Sequence, residues 1–225
     1  MEKSESNFKN YVYEDLKKQI VTGKLSPGTL INEKKYAKEM GVSRTPVHEA
    51  VQKLAQEGML VIMPRCGTLV SHISIEDIRQ LYELRKILEP QIVKLAAPKA
   101  SADDLTMYKD YYINIQLKEP VSDSENSWLM GNSDSKFHIF LAESTGNSLL
   151  VKYIKEAMDQ TMRIRCLSNT ISAERFLHAC GEHIEIIEAM LQSDCDAAAE
   201  AMMRHLENSE KGYINTKNIQ GMFCI

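Results

Sequence analysis

The stretch from Asn32 to Gly58 constrains this chain more than any other, because it reads as two short helical patterns joined at Gly41-Val42. Asn32 can cap a helix over Glu33–Met40, and Gly41 ends it. Ser43 or Thr45 then caps a second helix, with Pro46 in its first turn, where a missing N–H costs nothing. Val47, Ala50, Val51, Leu54 and Ala55 recur at helical spacing and make the buried stripe of that helix, which Gly58 closes. Its opening residues, Ser43-Arg44-Thr45, form a polar, basic tip. Two helices joined in this way are the pattern of a helix-turn-helix, whose second helix enters the DNA major groove by its N-terminal end.

The flanks extend that pattern. Tyr11, Val12, Leu16 and Ile20 fall close to helical spacing over 8–22, with Gly23 as a stop. Ser26-Pro27-Gly28 is a turn, followed by the short apolar run Thr29-Leu30-Ile31. Beyond Gly58, residues 60–63, 64–67 and 68–70 read as strand, tight turn and strand. A hairpin after the second helix is a wing, whose basic tip, Arg65 and Gly67, could reach the DNA backbone or minor groove. Residues 1–73 are therefore expected to form a winged helix-turn-helix.

At 225 residues the chain suits one large domain or two small ones. With 44% hydrophobic and 26% charged residues it has the balance of a folded rather than a disordered protein. No apolar run approaches the ~20 residues that span a bilayer, and Met1–Asn10 lacks the apolar core of a signal peptide, so no membrane partner is expected. Five cysteines, odd in number and without a Cys-x-x-Cys pair, read as free thiols of a cytoplasmic protein. The net charge of −4 argues against nucleic acid, but its distribution argues for it. Residues 1–71 hold 11 Lys and Arg against 8 Asp and Glu, and the remainder 16 against 23. A mildly basic head on an acidic body suits a DNA reader with a separate second module.

That second module, 74–225, shows no strand pattern. Ser74-Ile75-Glu76-Asp77 resembles a capping box opening a helix to about residue 97, with Ile78, Leu81, Tyr82, Leu88, Ile92 and Leu95 as its stripe and a kink expected at Pro90. Further helices are expected near 103–117, 125–144, 147–167, 172–192 and 194–214, with breaks at Lys118-Glu119-Pro120, Thr145-Gly146-Asn147, Ser168-Asn169-Thr170 and Ser193-Asp194. The fold class is mainly α: a winged helix-turn-helix followed by an all-α bundle of about six helices.

Within that bundle Asp134 and His138 are four apart, about 40° from each other on one helical face. His183 and His205 sit on two later helices among aliphatic neighbours. Four N/O ligands from three helices would suit a divalent transition metal, Zn, Mn, Ni or Fe, with an open position for a carboxylate. By spacing alone such histidines are more often satisfied core or interface residues than ligands. Cys180, three before His183, reads as a small buried hydrophobe. Tyr108, Tyr111 and Tyr112 read as packing, and Arg163 and Arg165 as solvated helix residues rather than anion ligands.

Two sets of motifs carry a resemblance. Gly23-Lys24-Leu25-x-Pro27-Gly28, Asn32-Glu33, Gly41-Val42-Ser43-Arg44-Thr45-Pro46-Val47-x-Glu49-Ala50, Leu54-x-x-x-Gly58 and Pro64-Arg65-x-Gly67 resemble the GntR-type winged helix-turn-helix. The resemblance implies that Arg44 and the residue at 48 read bases or phosphates, that Ser43 and Thr45 contact the backbone, and that Lys34 reaches a phosphate. His48 stands where the family usually has Arg, and Tyr36 where it has Leu. A neutral imidazole cannot fork onto guanine as guanidinium does, so an altered base preference is expected.

The rest resembles the helical effector domain of the FadR subfamily in its metal-binding version, FCD. The matching residues are Leu84-Arg85-x-x-Leu88-Glu89-Pro90, Asp134-x-x-Phe137-His138, Gly146-Asn147-x-Leu149-Leu150, Glu182-His183-x-x-Ile186-x-x-Ala189 and Met203-x-His205-Leu206. This implies Asp134, His138, His183 and His205 as metal ligands. Arg85 is implied as the residue that meets a small carboxylate effector in a bidentate pair, with an intrahelical pair to Glu89 as the alternative. The expected protein is a homodimeric transcriptional regulator on a pseudo-palindromic operator, switched by a small organic acid. A metal-dependent helical enzyme with a DNA-binding head and a pure metal sensor are the alternatives. Against the enzyme, no side chain is placed as a general base beside the ligands, and there is no nucleophile motif or phosphate-cradling glycine loop.

Overall fold

A computed structural model describes residues 5–117, 123–168 and 173–214, with side chains from residue 10, 132 and 174 onward in those segments. The chain divides into two compact units, one ending at Ile73 and the other beginning at Ser74.

The first unit runs α1 (Glu5–Val21), β1 (Leu30–Ile31), α2 (Glu33–Met40), α3 (Arg44–Gln56), β2 (Leu60–Met63) and β3 (Gly67–Val70). Asn32 starts α2 because its Oδ1 accepts from the Lys35 N–H at 3.0 Å. Gly41 ends that helix in the left-handed region, at φ 66°. Ser43 occupies the N-cap of α3, yet its side chain makes no capping bond, which leaves the hydroxyl exposed. Val12, Leu16 and Ile20 of α1 and Val47, Ala50, Val51 and Leu54 of α3 are buried where the two helices pack. Each such aliphatic side chain contributes about 1.5–3 kcal/mol. Tyr11, expected in the α1 stripe, is exposed, and Tyr13 is buried instead. Tyr36 accepts from Gln19 Nε2 at 3.0 Å and donates to Asp15 Oδ2, so the phenol that replaces the family's leucine ties α2 to α1.

The three strands form one antiparallel sheet in the order β1-β3-β2, with Leu60 opposite Val70, Met63 opposite Gly67, and Leu30 opposite Leu69. The wing tip between β2 and β3 is tight: Arg65 lies at φ 66° and Gly67 at φ 101°. A Cβ at Gly67 would meet only the end of the exposed Leu30 side chain, at 2.9 Å from Cδ1, so it is the positive φ that makes this a glycine position.

The second unit is α4 (Ile75–Ala96), α5 (Ala102–Gln116), α6 (Asp123–Ser144), α7 (Ser148–Ser168), α8 (Ala173–Leu191) and α9 (Cys195–Ile214). The capping box is formed: Ser74 Oγ accepts from the Asp77 N–H at 3.0 Å, and Asp77 Oδ2 accepts from the Ser74 N–H at 2.7 Å. Helix α4 continues through Pro90, which is buried. Thr145-Gly146-Asn147 separates α6 from α7, with Gly146 at φ 73° and Asn147 Oδ1 accepting from Leu149 N–H at 3.0 Å. The break expected at Lys118-Glu119-Pro120 and the Asn169-Thr170 part of another lie outside the described residues. Helix α4 packs on α9, α8 on α9 and α5, and α6 on α7 and α4. The core they enclose holds Ile78, Tyr82, Ile92, Tyr112, Phe137, Met158, Ile186 and Leu206. Leu95, expected in the α4 stripe, is exposed, whereas Arg85 and Glu89 of the same helix are buried. Among the described residues, no helix is long and apolar enough to cross a membrane.

Candidate metal centre and nucleic-acid interface

In the first unit the residues at the opening of α3 face outward. Ser43, Arg44, Thr45 and His48 are exposed, as are Lys34 on α2 and Arg65 and Gly67 on the wing. Proline and the apolar positions of α3 point inward, which leaves the N-terminal polar face clear to enter a groove. His48 is not isolated: its Nδ1 lies 3.2 Å from Glu33 Oε2, a pairing across α2 and α3 that an arginine at this position could also make.

In the second unit four side chains from three helices converge in the bundle core. Asp134 and His138 come from α6, His183 from α8 and His205 from α9, and all four are buried. One ligating atom from each lies within 4.8 Å of the others. Asp134 Oδ1 is 3.4 Å from His183 Nε2, 3.7 Å from His138 Nε2 and 3.8 Å from His205 Nε2. Bonds of about 2.0–2.1 Å to a shared ion would set adjacent ligand atoms roughly 3 Å apart, so this spacing is that of a ligand shell slightly relaxed.

The polar accounting points the same way. None of the three Nε2 atoms makes a hydrogen bond of acceptable geometry, although each is fully buried. A buried polar atom left unpaired costs about 1–3 kcal/mol, and one carboxylate oxygen cannot serve three imidazoles at these distances. A cation among them satisfies all three nitrogens and Oδ1 together, so the donor set fits a divalent ion.

The electrostatics prepare the ligands. Burial opposes ionisation of Asp134, but Arg165, followed by His138 and His183, outweighs it and holds the carboxyl well below its ordinary range. Arg165 Nη2 donates to Asp134 Oδ2 at 3.1 Å, which occupies the oxygen that faces away from the histidines. Burial, reinforced by His205, pushes His183 down to about 3, so this ring is neutral and its lone pair available. Burial also lowers His205, against the pull of Glu182. His138 goes the other way: burial opposes its charge, and Glu89 and Asp134 prevail.

Beyond the four, the structure brings in residues that spacing did not reveal. Glu89 on α4 meets His138 Nδ1, and Glu182 on α8 lies 2.8 Å from His205 Nδ1. Tyr112 packs on His183 with ring centroids 4.7 Å apart and the rings tilted by 38°. Arg163 and Arg165, expected to be solvated, are both buried; Arg165 donates from Nε to Tyr213 at 3.0 Å as well as to Asp134. Arg85 makes the intrahelical pair with Glu89, at 2.6 Å from Nε to Oε1, and donates from Nη1 to Thr161 at 3.3 Å; its Nη2 has no hydrogen-bond partner. Cys180 is buried outside the ligand cluster.

A winged helix-turn-helix followed by an all-α bundle with a buried donor cluster is the architecture of a bacterial transcriptional regulator. Residues 8–70 match the family model of bacterial regulatory proteins of the gntR family, and residues 80–208 match the FCD domain. The chain belongs to the GntR family and carries an FCD effector domain. It is similar to the HTH-type transcriptional regulator LutR of Bacillus subtilis, 30% identical over 89% of this chain and 100% of LutR. It is also similar to the HTH-type regulator YdhC of the same organism, 29% identical over 87% of this chain and 86% of YdhC. A GntR regulator from Rhodococcus sp. RHA1 shares the fold, with a TM-score of 0.75, 21% identity, and 92% and 98% of the two chains covered. These relatives are regulators rather than enzymes, and regulators of this family bind DNA operators.

Proposed function

We propose that the protein is an effector-responsive regulator that binds a pseudo-palindromic operator as a homodimer, with a metal-held small organic acid as its signal. The observation that carries the metal reading is the convergence of three buried, unbonded Nε2 atoms on Asp134 Oδ1. Asp134, His138, His183 and His205 hold a divalent transition ion, Zn, Ni, Mn or Fe, and an open coordination position takes the acid's carboxylate. Arg85 is the proposed donor to that acid through its unbonded Nη2. In the head, Arg44 and His48 read the major groove, Ser43, Thr45 and Lys34 hold phosphates, and Arg65 and Gly67 bring the wing to the DNA backbone. Effector binding changes operator affinity through the bundle, and coupling of about 1–3 kcal/mol suffices for a five- to hundred-fold response.

The test is a thermal-shift screen of small sugar acids, hydroxy acids and dicarboxylates against purified protein, with and without chelator. One acid should stabilise the protein only while the metal is present. Stabilisation unaffected by chelator would remove the metal from the effector site, and turnover of the acid would make the protein an enzyme.

A further inference from the structure

We propose that Glu89 and Glu182 are positioning residues for the metal centre, each fixing one histidine in the tautomer that offers Nε2 to the ion, while His183 is held by ring packing alone. The inference rests on the four-ligand reading above and adds two residues to it.

Consider His205 first. Its Nδ1 lies 2.8 Å from Glu182 Oε2. A carboxylate is only an acceptor, so Nδ1 carries the proton and the lone pair is on Nε2, the atom turned toward Asp134. Glu182 is itself fixed by two residues through three hydrogen bonds. Arg175 forks onto it, Nη1 to Oε1 at 3.1 Å and Nη2 to Oε2 at 2.9 Å, and Asn208 Nδ2 donates to Oε1 at 2.9 Å.

The same three-part arrangement recurs on the opposite helix pair. Glu89 takes Arg85 Nε on Oε1, and its Oε2 makes an ion-pair contact with His138 Nδ1 that lacks hydrogen-bond alignment but still turns Nε2 to the centre. Both sites are guanidinium, carboxylate and imidazole in a row, built from different helices. His183 departs from the pattern: among the described residues no carboxylate pairs with its Nδ1, and its ring packs against those of His205, Tyr112 and Phe137, 4.4, 4.7 and 5.1 Å away by centroid. Carboxylates in this outer position fix ring orientation and raise ligand basicity, and their loss typically weakens metal binding about 10- to 100-fold.

The test compares zinc affinity, by competition with a chromophoric chelator, for the full-length wild type, Glu182→Ala, Glu182→Gln, Glu89→Gln and His183→Ala. Glu182 borders an open cavity of about 540 Å³ between α5, α8 and α9, so a smaller side chain there is accommodated. We expect Glu182→Ala to bind zinc about 10- to 100-fold more weakly. Glu182→Gln, whose amide oxygen still accepts, should fall between it and the wild type. In long-range ¹H–¹⁵N spectra of the metal-free protein, His205 should carry its proton on Nδ1 in the wild type and lose that preference in Glu182→Ala. Should Glu89→Gln fail to fold, Arg85→Met/Glu89→Leu removes both buried charges together and is expected to show the same zinc deficit. Equal zinc uptake by wild type and His183→Ala would defeat the four-ligand reading itself. Loss of zinc in His183→Ala, with wild-type affinity and an unchanged His205 tautomer in Glu182→Ala, would overturn this inference alone.

Discussion

The two units spend their polar residues in opposite ways. The head buries an aliphatic stripe and leaves Ser43, Arg44, Thr45, His48, Lys34 and Arg65 at the surface, where a polyanion can reach them. The bundle buries Arg85, Glu89, Asp134, His138, Arg165, His183 and His205 and surrounds them with aromatic and aliphatic rings. A surface reader loses little folding stability to its charges and gains affinity through many modest contacts. A core site must satisfy every polar group internally, and the unbonded Nε2 atoms mark the place where the protein alone does not. The comparison teaches that single substitutions should act by modest degrees in the head, and most steeply in the bundle where they remove one of the buried side chains that converge on Asp134.

The largest effect should follow from His183→Ala/His205→Ala. Removing two of four ligands should abolish stoichiometric metal uptake, measured by elemental analysis of the purified protein, while metal-free protein still binds DNA fragments non-specifically. Metal content equal to wild type would end the contrast between the units. Next comes Arg44→Ala, expected to cost about 1–3 kcal/mol of operator affinity and to flatten the salt dependence, with metal content unchanged. Titration of a palindromic fragment at several salt concentrations reads both quantities, and an unaltered affinity would sink the docking model. His48→Arg sharpens the comparison from the gain side. A guanidinium able to fork onto guanine should tighten binding to guanine-containing half-sites by about 1–3 kcal/mol, provided it leaves Glu33 for the groove. Smallest, Ser74→Ala should remove the capping box of α4 and cost about 1 kcal/mol of stability without touching either site, as read by denaturant unfolding.

Much of this was legible in the sequence because the signals were local. Asn32, Gly41 and Gly58 punctuate the head within a few residues of the helices they bound, and Ser74 with Asp77 announces α4. Asp134 and His138, four apart, and His183 and His205, among aliphatic neighbours, were visible as candidates, but only the family resemblance implied that they act together; the fold gathers all four. What stayed hidden depends on partners from other helices. Arg165 looks like a solvated helix residue until Asp134 and Tyr213 arrive from α6 and α9. Glu182 is next to His183 in sequence, yet its imidazole partner is His205 on the following helix. Tyr11 and Leu95 show the complementary error, since periodicity alone places them inward and packing leaves them out.

The arginines around the centre have one further consequence. Asp134, Glu89 and Glu182 are matched one for one by Arg165, Arg85 and Arg175. Once all three imidazoles are neutral, as ligation of a cation requires, this inner assembly carries no net charge. A divalent cation therefore brings two positive charges that nothing in the assembly offsets. A ligand with two carboxylates would return the core to neutrality, and one with a single carboxylate would leave it half corrected. For the proposed metal-held acid, such a balance ranks dianionic above monoanionic effectors.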